Sequence, residues 1–220
     1  MLKTAIIVAG GSGTRMGSKL PKQFLQVNEE IILMRSIRIF HDYDAGMKII
    51  LALNQEYIQL WEKLCTEHHF TIEHQIAEGG KTRYHSVKNA LDLAPEKGLI
   101  AIHDAVRPFA SKKTIKNCFE QAKKYGNAIP CIDIKESLRI EDEGLNRPVK
   151  REKFKMIQTP QVFKAGLIKD AYKQAFQEKF TDDATVLESC GITINLVEGN
   201  RENFKITTPL DLKIAKAFDD

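Results

Sequence analysis

Two cations and a cluster of glycines near the N-terminus have the spacing that a polyphosphate needs. Gly10, Gly11 and Gly13 follow the apolar run 5–8, and Ala9, Thr14, Arg15 and Lys22 flank them. Glycines accept positive φ and let a ligand approach the main chain. Successive N–H groups in such a loop form an anion-binding concavity. A guanidinium grips phosphate oxygens in pairs, and an ammonium acts as a point charge. The alternative is a tight turn with solvated charges. The Gly-Lys-Ser/Thr ending of a P-loop is missing, which argues against a Walker-type NTPase. A dinucleotide site needs G-x-G-x-x-G and an acid ending the second strand. Here position 16 is Met, Pro21 cuts the next helix short, and Asn54 ends that strand. A nicotinamide-binding reductase is therefore the runner-up.

A second group is His103-Asp104-Ala105-Val106-Arg107-Pro108, at the end of the apolar run 99–102. Ligands of open α/β sheets bind outside the carboxyl ends of strands. A carboxylate there suits Mg²⁺, which takes one or two protein oxygens and completes its shell with phosphate and water. Asp104 is the metal candidate, with a helix-capping role as the alternative. His103 reads as a satisfied buried histidine and is given no catalytic role. No convincing Ser/His/Asp or Cys/His set is present. A phosphate oxygen attacking the α-phosphorus of a nucleotide is already anionic and needs none; positioning and charge suffice.

The elements that must position these groups follow from periodicity. The runs 5–8, Lys48–Leu53, 99–102 and 127–132 are apolar without alternation, as strands covered on both faces are. Helical spacing marks 31–40, 57–69, 84–93 and 114–125, the last closed by Gly126. A short strand is expected at 71–77, and helices at 166–178 and 182–190, the second with Thr181 as N-cap. A strand at 193–197 and a helix entered by Thr208 and Pro209 complete the chain. This order predicts one α/β domain: three-layer and Rossmann-like, with a mainly parallel mixed sheet and helices on both faces.

Residues 133–156 break the pattern. They are rich in charge, and Glu143-Gly144 separates two alternating stretches. The expectation is a projecting β-hairpin arm. A polar hairpin is marginal alone, so the arm is expected to pair with a second copy of the chain; the alternative is a floppy charged insertion.

The 220 residues are 43% hydrophobic and 28% charged with net charge +4, which argues for an ordinary globular chain and against a nucleic-acid partner. No stretch approaches ~18 apolar residues, so no membrane span is expected. Four scattered cysteines without a C-x-x-C pair, and an N-terminus that runs straight into a strand, lead to a cytoplasmic expectation.

The motifs together resemble the 2-C-methyl-D-erythritol 4-phosphate cytidylyltransferase family, within the sugar-nucleotide pyrophosphorylase superfamily. The resemblance runs from residue 4 to about residue 217. It rests on Ala9-Gly10-Gly11-Ser12-Gly13-Thr14-Arg15-Met16 with Pro21-Lys22-Gln23, then Gly79-Gly80-x-x-Arg83-x-x-Ser86-Val87 and His103-Asp104-Ala105-x-Arg107-Pro108. Gln158-Thr159-Pro160-Gln161-x-Phe163, Thr181-Asp182-Asp183-Ala184 and Asn203-Phe204-Lys205-Ile206-Thr207 follow in the family's order. Ribitol-5-phosphate cytidylyltransferases share several of these motifs. Arg83-x-x-Ser86-Val87 and Thr181-Asp182-Asp183-Ala184 favour the erythritol enzymes.

The resemblance implies transfer of a cytidylyl group from CTP to a polyol phosphate, with Mg²⁺ and release of pyrophosphate. It implies transition-state cations at Arg15 and Lys22. Nucleotide contacts fall at Ala9, Gly10, Gly11, Gly13, Thr14, Gly80, Ser86, Asp104 and Ala105. Acceptor-phosphate contacts fall at Arg107, Arg151, Thr159 and Lys205, with Arg151 and Lys205 also catalytic. Arg151 is then supplied by the other subunit of a homodimer. The chain departs from the family at Ile134, where a threonine is common, with Ser137 nearby, and at Lys81 after the glycine pair.

Overall fold

The structure, a computed structural model, describes residues 1–10 and 20–218. Gly11, Gly13, Thr14 and Arg15 therefore lie outside the described residues. The strands are β1 (Lys3–Val8), β2 (Gln26–Val27), β3 (Glu30–Ile31), β4 (Lys48–Leu53), β5 (Gln75–Glu78), β6 (Leu99–Asp104), β7 (Asn127–Asp133), β8 (Leu138–Asp142), β9 (Leu145–Val149), β10 (Lys155–Ile157), β11 (Gln161–Lys164) and β12 (Leu196–Glu198). The helices are α1 (Ile32–Tyr43), α2 (Ile58–Glu67), α3 (Arg83–Asp92), α4 (Lys112–Tyr125), α5 (Ala165–Ala171), α6 (Asp183–Glu188) and α7 (Pro209–Ala217).

The main sheet runs β10-β7-β11-β6-β1-β4-β5, with β12 also on β7. β1 pairs in parallel with β4 and β6, and β4 with β5. β11 is antiparallel to β6 and β7, and β10 to β7. The sheet is thus mixed and mainly parallel on the half that carries the glycine turn.

The two faces are separately covered, which explains the unbroken apolar runs. Ala5 and Ile7 of β1 face a core with Leu33, Ile37 and Phe40 of α1 and Ile115 and Phe119 of α4. Ile6 faces the other way, onto Val87 and Ala90 of α3, Ile168 of α5 and Leu187 of α6. Full burial of such side chains contributes about 1.5–3 kcal/mol each. A third cluster of Val27, Ile32, Val106, Ile206 and Ala215 ties β2, the segment after β6 and α7 together.

Four expected boundaries need correction, each because side chains replace backbone partners. The strand expected at 71–77 begins only at Gln75; His74 instead turns inward to accept the Trp61 indole N–H at 2.9 Å. The helix expected to reach 178 stops at Ala171, whose carbonyl takes the Gln174 amide at 2.7 Å. Helix α6 is capped by Asp182, not Thr181: its carboxylate accepts the Thr185 N–H at 2.9 Å in a capping box. The strand expected at 193–197 begins at Leu196, since the Asn127 side chain binds the backbone at Thr193 and Asn195. The last helix is capped as read, by Thr208 with Pro209 at its first turn.

Within 133–156, β8 and β9 form a two-stranded sheet apart from the main one. Glu143 and Gly144 both take positive φ, as a two-residue type I′ turn requires. The hairpin proper is shorter than the stretch read from sequence, because β7 runs to Asp133 and β10 starts at Lys155.

Candidate active site

The carboxyl ends of β1, β4, β5 and β6 lie side by side, with Val8 opposite Asp104 and Leu53 opposite Glu78. The chain leaves these ends as backbone that carries the glycines. Ala9 N–H donates to the Ala52 carbonyl and Ala105 N–H to the Val8 carbonyl, so both residues extend the sheet by one step. Gln23 donates to the Ala9 carbonyl at 2.9 Å, which pins the short 3-10 helix Lys22–Phe24 to the end of β1 and places Lys22 there.

Gly10 and Gly80 meet at Ser86. The Ser86 hydroxyl donates to the Thr82 carbonyl and accepts the Gly80 N–H at 3.0 Å. A Cβ on Gly10 would stand 2.7 Å from that hydroxyl, and one on Gly80 would stand 2.3 Å from the His85 Cβ. Only glycine permits this approach of three backbone segments. Ser86 itself is buried in the first turn of α3, behind the Thr82 cap.

Asp104 is the centre of a second group. Its Oδ1 accepts Arg83 Nε at 3.3 Å, and its Oδ2 meets Arg107 Nε at 3.3 Å and Lys205 Nζ at 3.0 Å. Burial alone would raise this carboxyl, but the charges of Arg83, Lys205 and Arg107 hold it well below the usual carboxylate range. Arg107 is fixed by donating to the Asn203 carbonyl at 2.9 Å. Lys205 is brought alongside because Ile206 N–H binds the Val106 carbonyl. Thr159 is held by Asn203, whose amide donates to the Thr159 carbonyl at 2.8 Å, and its hydroxyl accepts the Asp104 N–H at 3.1 Å.

His103 is fully buried on the neighbouring strand position, edge-on to Phe40 at 5.1 Å. Burial pushes its imidazole down to about 4, so it is neutral at physiological pH. A cleft of about 800 Å³ is lined by Arg83, Asp104, Arg107, Thr159 and Lys205, and extends over Gln161, Thr181 and Thr185.

The structure therefore brings Asp104, Arg107, Thr159 and Lys205 into one bonded group and Gly10, Gly80 and Ser86 into another. Arg151 joins neither. Its described contacts are with the Lys135 carbonyl and Glu152, both within the arm region.

Arg83 and Asp183 carry part of the resemblance but were given no site role in the sequence reading. Arg83 reaches past Asp104 to grip Asp183 with both terminal nitrogens, at 2.9 and 2.7 Å, and the buried Tyr172 hydroxyl donates to the same carboxylate at 2.6 Å. A faint signal existed. A cation in the first turn of a helix opposes the helix dipole and calls for an acidic partner. Of the adjacent Asp182 and Asp183, only one is needed as a cap.

The sequence profile of the 2-C-methyl-D-erythritol 4-phosphate cytidylyltransferase family matches residues 3–219. The Bacteroides fragilis protein of that name is 52% identical over 218 residues, covering 99% of this chain and 100% of its own. That of Bacteroides thetaiotaomicron is 50% identical over 218 residues with the same coverage. Among solved structures, the Thermus thermophilus protein of that name superposes with a TM-score of 0.80 at 31% identity, over 99% of this chain and 98% of its own. The 4-diphosphocytidyl-2C-methyl-D-erythritol synthase of Anaerococcus prevotii gives 0.84 at 26%, over 99% and 95%.

Proposed function

The chain belongs to the 2-C-methyl-D-erythritol 4-phosphate cytidylyltransferase family, and on that premise we propose how its own residues carry the transfer. The enzyme joins CTP and 2-C-methyl-D-erythritol 4-phosphate to give 4-diphosphocytidyl-2-C-methyl-D-erythritol and pyrophosphate, a step of non-mevalonate isoprenoid synthesis.

The observation that carries the residue assignment is Asp104 ringed by three cations at the mouth of the cleft. An oxygen of the acceptor phosphate attacks the α-phosphorus of CTP, forming a new P–O bond as the bond to the pyrophosphate oxygen breaks. The nucleophile is ionised at neutral pH, so the protein supplies no general base. Its task is to bring two polyanions together. Arg107 and Lys205 receive the acceptor phosphate, and Lys22 and Arg15 receive the charge that develops on the triphosphate. Gly10, Gly80 and Ser86 let the cytidine lie against main chain.

The ionised Asp104 carboxylate is the one oxygen donor of this group that Mg²⁺ would take, in exchange for one of the cations, Arg83, Arg107 and Lys205, paired with its oxygens here. Among the described residues no group of three or more His, Cys, Asp or Glu is arranged to hold a metal alone, and one carboxylate suits an ion that draws its other ligands from phosphate and water. Asp104 would hold it, and the ion would neutralise triphosphate charge.

The arm supports a homodimer in which Arg151 serves the partner's site. The hairpin is separate from the main sheet, and Ile140, Leu145, Phe154 and Met156 in and beside it are exposed. Four unpaired cysteines support a cytoplasmic setting, and among the described residues no helix is long and apolar enough to cross a membrane.

Pyrophosphate release with CTP and each acceptor tests the reading. Turnover should be far higher with 2-C-methyl-D-erythritol 4-phosphate than with ribitol 5-phosphate. A preference for ribitol 5-phosphate, or no release with either, would overturn it.

A further inference from the structure

We propose that His103 is a positioning residue for the transfer: as its Nε2–H tautomer, it locks Thr159 and the Arg107 backbone against Asp104. Three distances fix the direction of every proton. His103 Nε2 lies 3.0 Å from the Arg107 carbonyl, which can only accept. Nε2 must therefore carry the hydrogen. The Thr159 hydroxyl already accepts the Asp104 N–H, and among its described contacts Nδ1 is the acceptor left for its hydrogen, so Nδ1 presents a lone pair. Among the described residues, neither ring nitrogen has a carboxylate as a hydrogen-bond partner.

Nδ1 lies 3.1 Å from the Thr159 hydroxyl, which is the donor of that bond. The same hydroxyl oxygen accepts the Asp104 N–H at 3.1 Å. The run is then Asp104 N–H to Thr159 oxygen, Thr159 O–H to His103 Nδ1, and His103 Nε2–H to the Arg107 carbonyl. Arg107 N–H closes the circuit on the Asp104 carbonyl at 3.1 Å.

Two consequences follow. The Thr159 hydroxyl hydrogen is committed inward, so Thr159 shapes the site and does not donate to the acceptor phosphate. The backbone at Arg107 is held at both its N–H and its carbonyl, which aims the guanidinium at Asp104 and the acceptor. His103 touches no substrate and acts through these two residues.

The kinetic part of the test rests on the cytidylyltransferase reading; the proton position does not. In the full-length protein labelled with ¹⁵N, long-range ¹H–¹⁵N correlation should show the His103 ring with Nε2 protonated and Nδ1 bare. A protonated Nδ1 overturns the proposal whatever the protein's substrate. His103→Gln keeps a donor near Nε2, His103→Asn keeps an acceptor near Nδ1, and His103→Phe keeps neither. The Phe variant should lose about 100-fold in kcat/KM for the polyol phosphate, the cost of misplaced binding groups, while its Kd for CTP changes less than about threefold. Gln and Asn should each restore part of the loss. Near-normal turnover in the Phe variant, or a parallel loss of CTP affinity in all three, would show a merely structural histidine. If the Phe variant fails to fold, the graded Gln and Asn pair decides by the same two readouts.

Discussion

Arg83 and Asp183 stand 100 positions apart in sequence and meet fork to fork, at 2.9 and 2.7 Å. Asp183 is fully buried, and the pairing leaves Arg83 Nε pointed at Asp104. Asp183 thus sets the orientation of the Asp104 carboxylate from outside the cleft. Removing one partner of a buried pair strands the other charge and costs about 3–5 kcal/mol. Asp183→Ala should lower the urea midpoint accordingly. Asp183→Asn, which still accepts from one guanidinium nitrogen, should lose less stability but still reduce turnover. An unchanged midpoint in the Ala variant would refute this role.

Lys205 and Arg107 share Asp104 Oδ2 but differ in setting. Arg107 is 13% exposed and tied to the Asn203 carbonyl, whereas Lys205 is 41% exposed on a flexible stem. Lys205→Met should lower kcat/KM for the polyol phosphate by about 10²–10³-fold, the loss typical for one charge-stabilising donor. Its unfolding free energy should change by less than about 1 kcal/mol, as for exposed ion pairs. Arg107→Met should cost both activity and stability. Steady-state kinetics with matched urea titrations separate the two.

Gly10 and Ser86 should be energetically coupled. An alanine Cβ at Gly10 falls 2.7 Å from the Ser86 hydroxyl and would push it off the Gly80 N–H. Gly10→Ala and Ser86→Ala should each weaken CTP binding by about tenfold, near the cost of one lost hydrogen bond. The double variant should be far less than additive, with a coupling of about 1 kcal/mol or more. Calorimetric Kd values for the three variants and wild type give the cycle directly; strict additivity would sink the idea.

What could be read from sequence follows from what burial does to a pattern. The residues of β1, β4 and β6 are covered on both faces, drop alternation and stand out as apolar runs. Asp104 was legible as a candidate because it ends such a run and Lys205 because it precedes a capped helix, whereas Arg107 was singled out by the resemblance alone. The Arg83–Asp183 bridge was not, since only the packing of α3 and α6 on one sheet face brings them together. Nor was the end of α5, which depends on the amide of Gln174 reaching the Ala171 carbonyl. His103 read correctly as buried, but its two ring partners come from Thr159 and Arg107, one of them 56 positions away. Side-chain bonds over such separations leave no periodic trace.

Arg151 provides the last prediction, because in its own protomer it contacts the arm region and not the Asp104 group. If each site combines Lys22 of one subunit with Arg151 of the other, Lys22→Ala and Arg151→Ala should both be nearly inactive as homodimers. Co-refolding them in equal amounts puts half of the dimers in the mixed form. In a mixed dimer, the Arg151→Ala subunit retains Lys22 and receives an intact Arg151 from its partner, while the opposite site is doubly defective. Activity should therefore return to about a quarter of wild type in a symmetric two-site dimer. Sedimentation should show that both variants remain dimeric, and Ile140→Asp in the arm should shift wild type toward monomer with loss of turnover. Failure of the mixed preparation to regain activity, with mixed dimers demonstrated by tag-specific capture, would place Arg151 outside the partner's site.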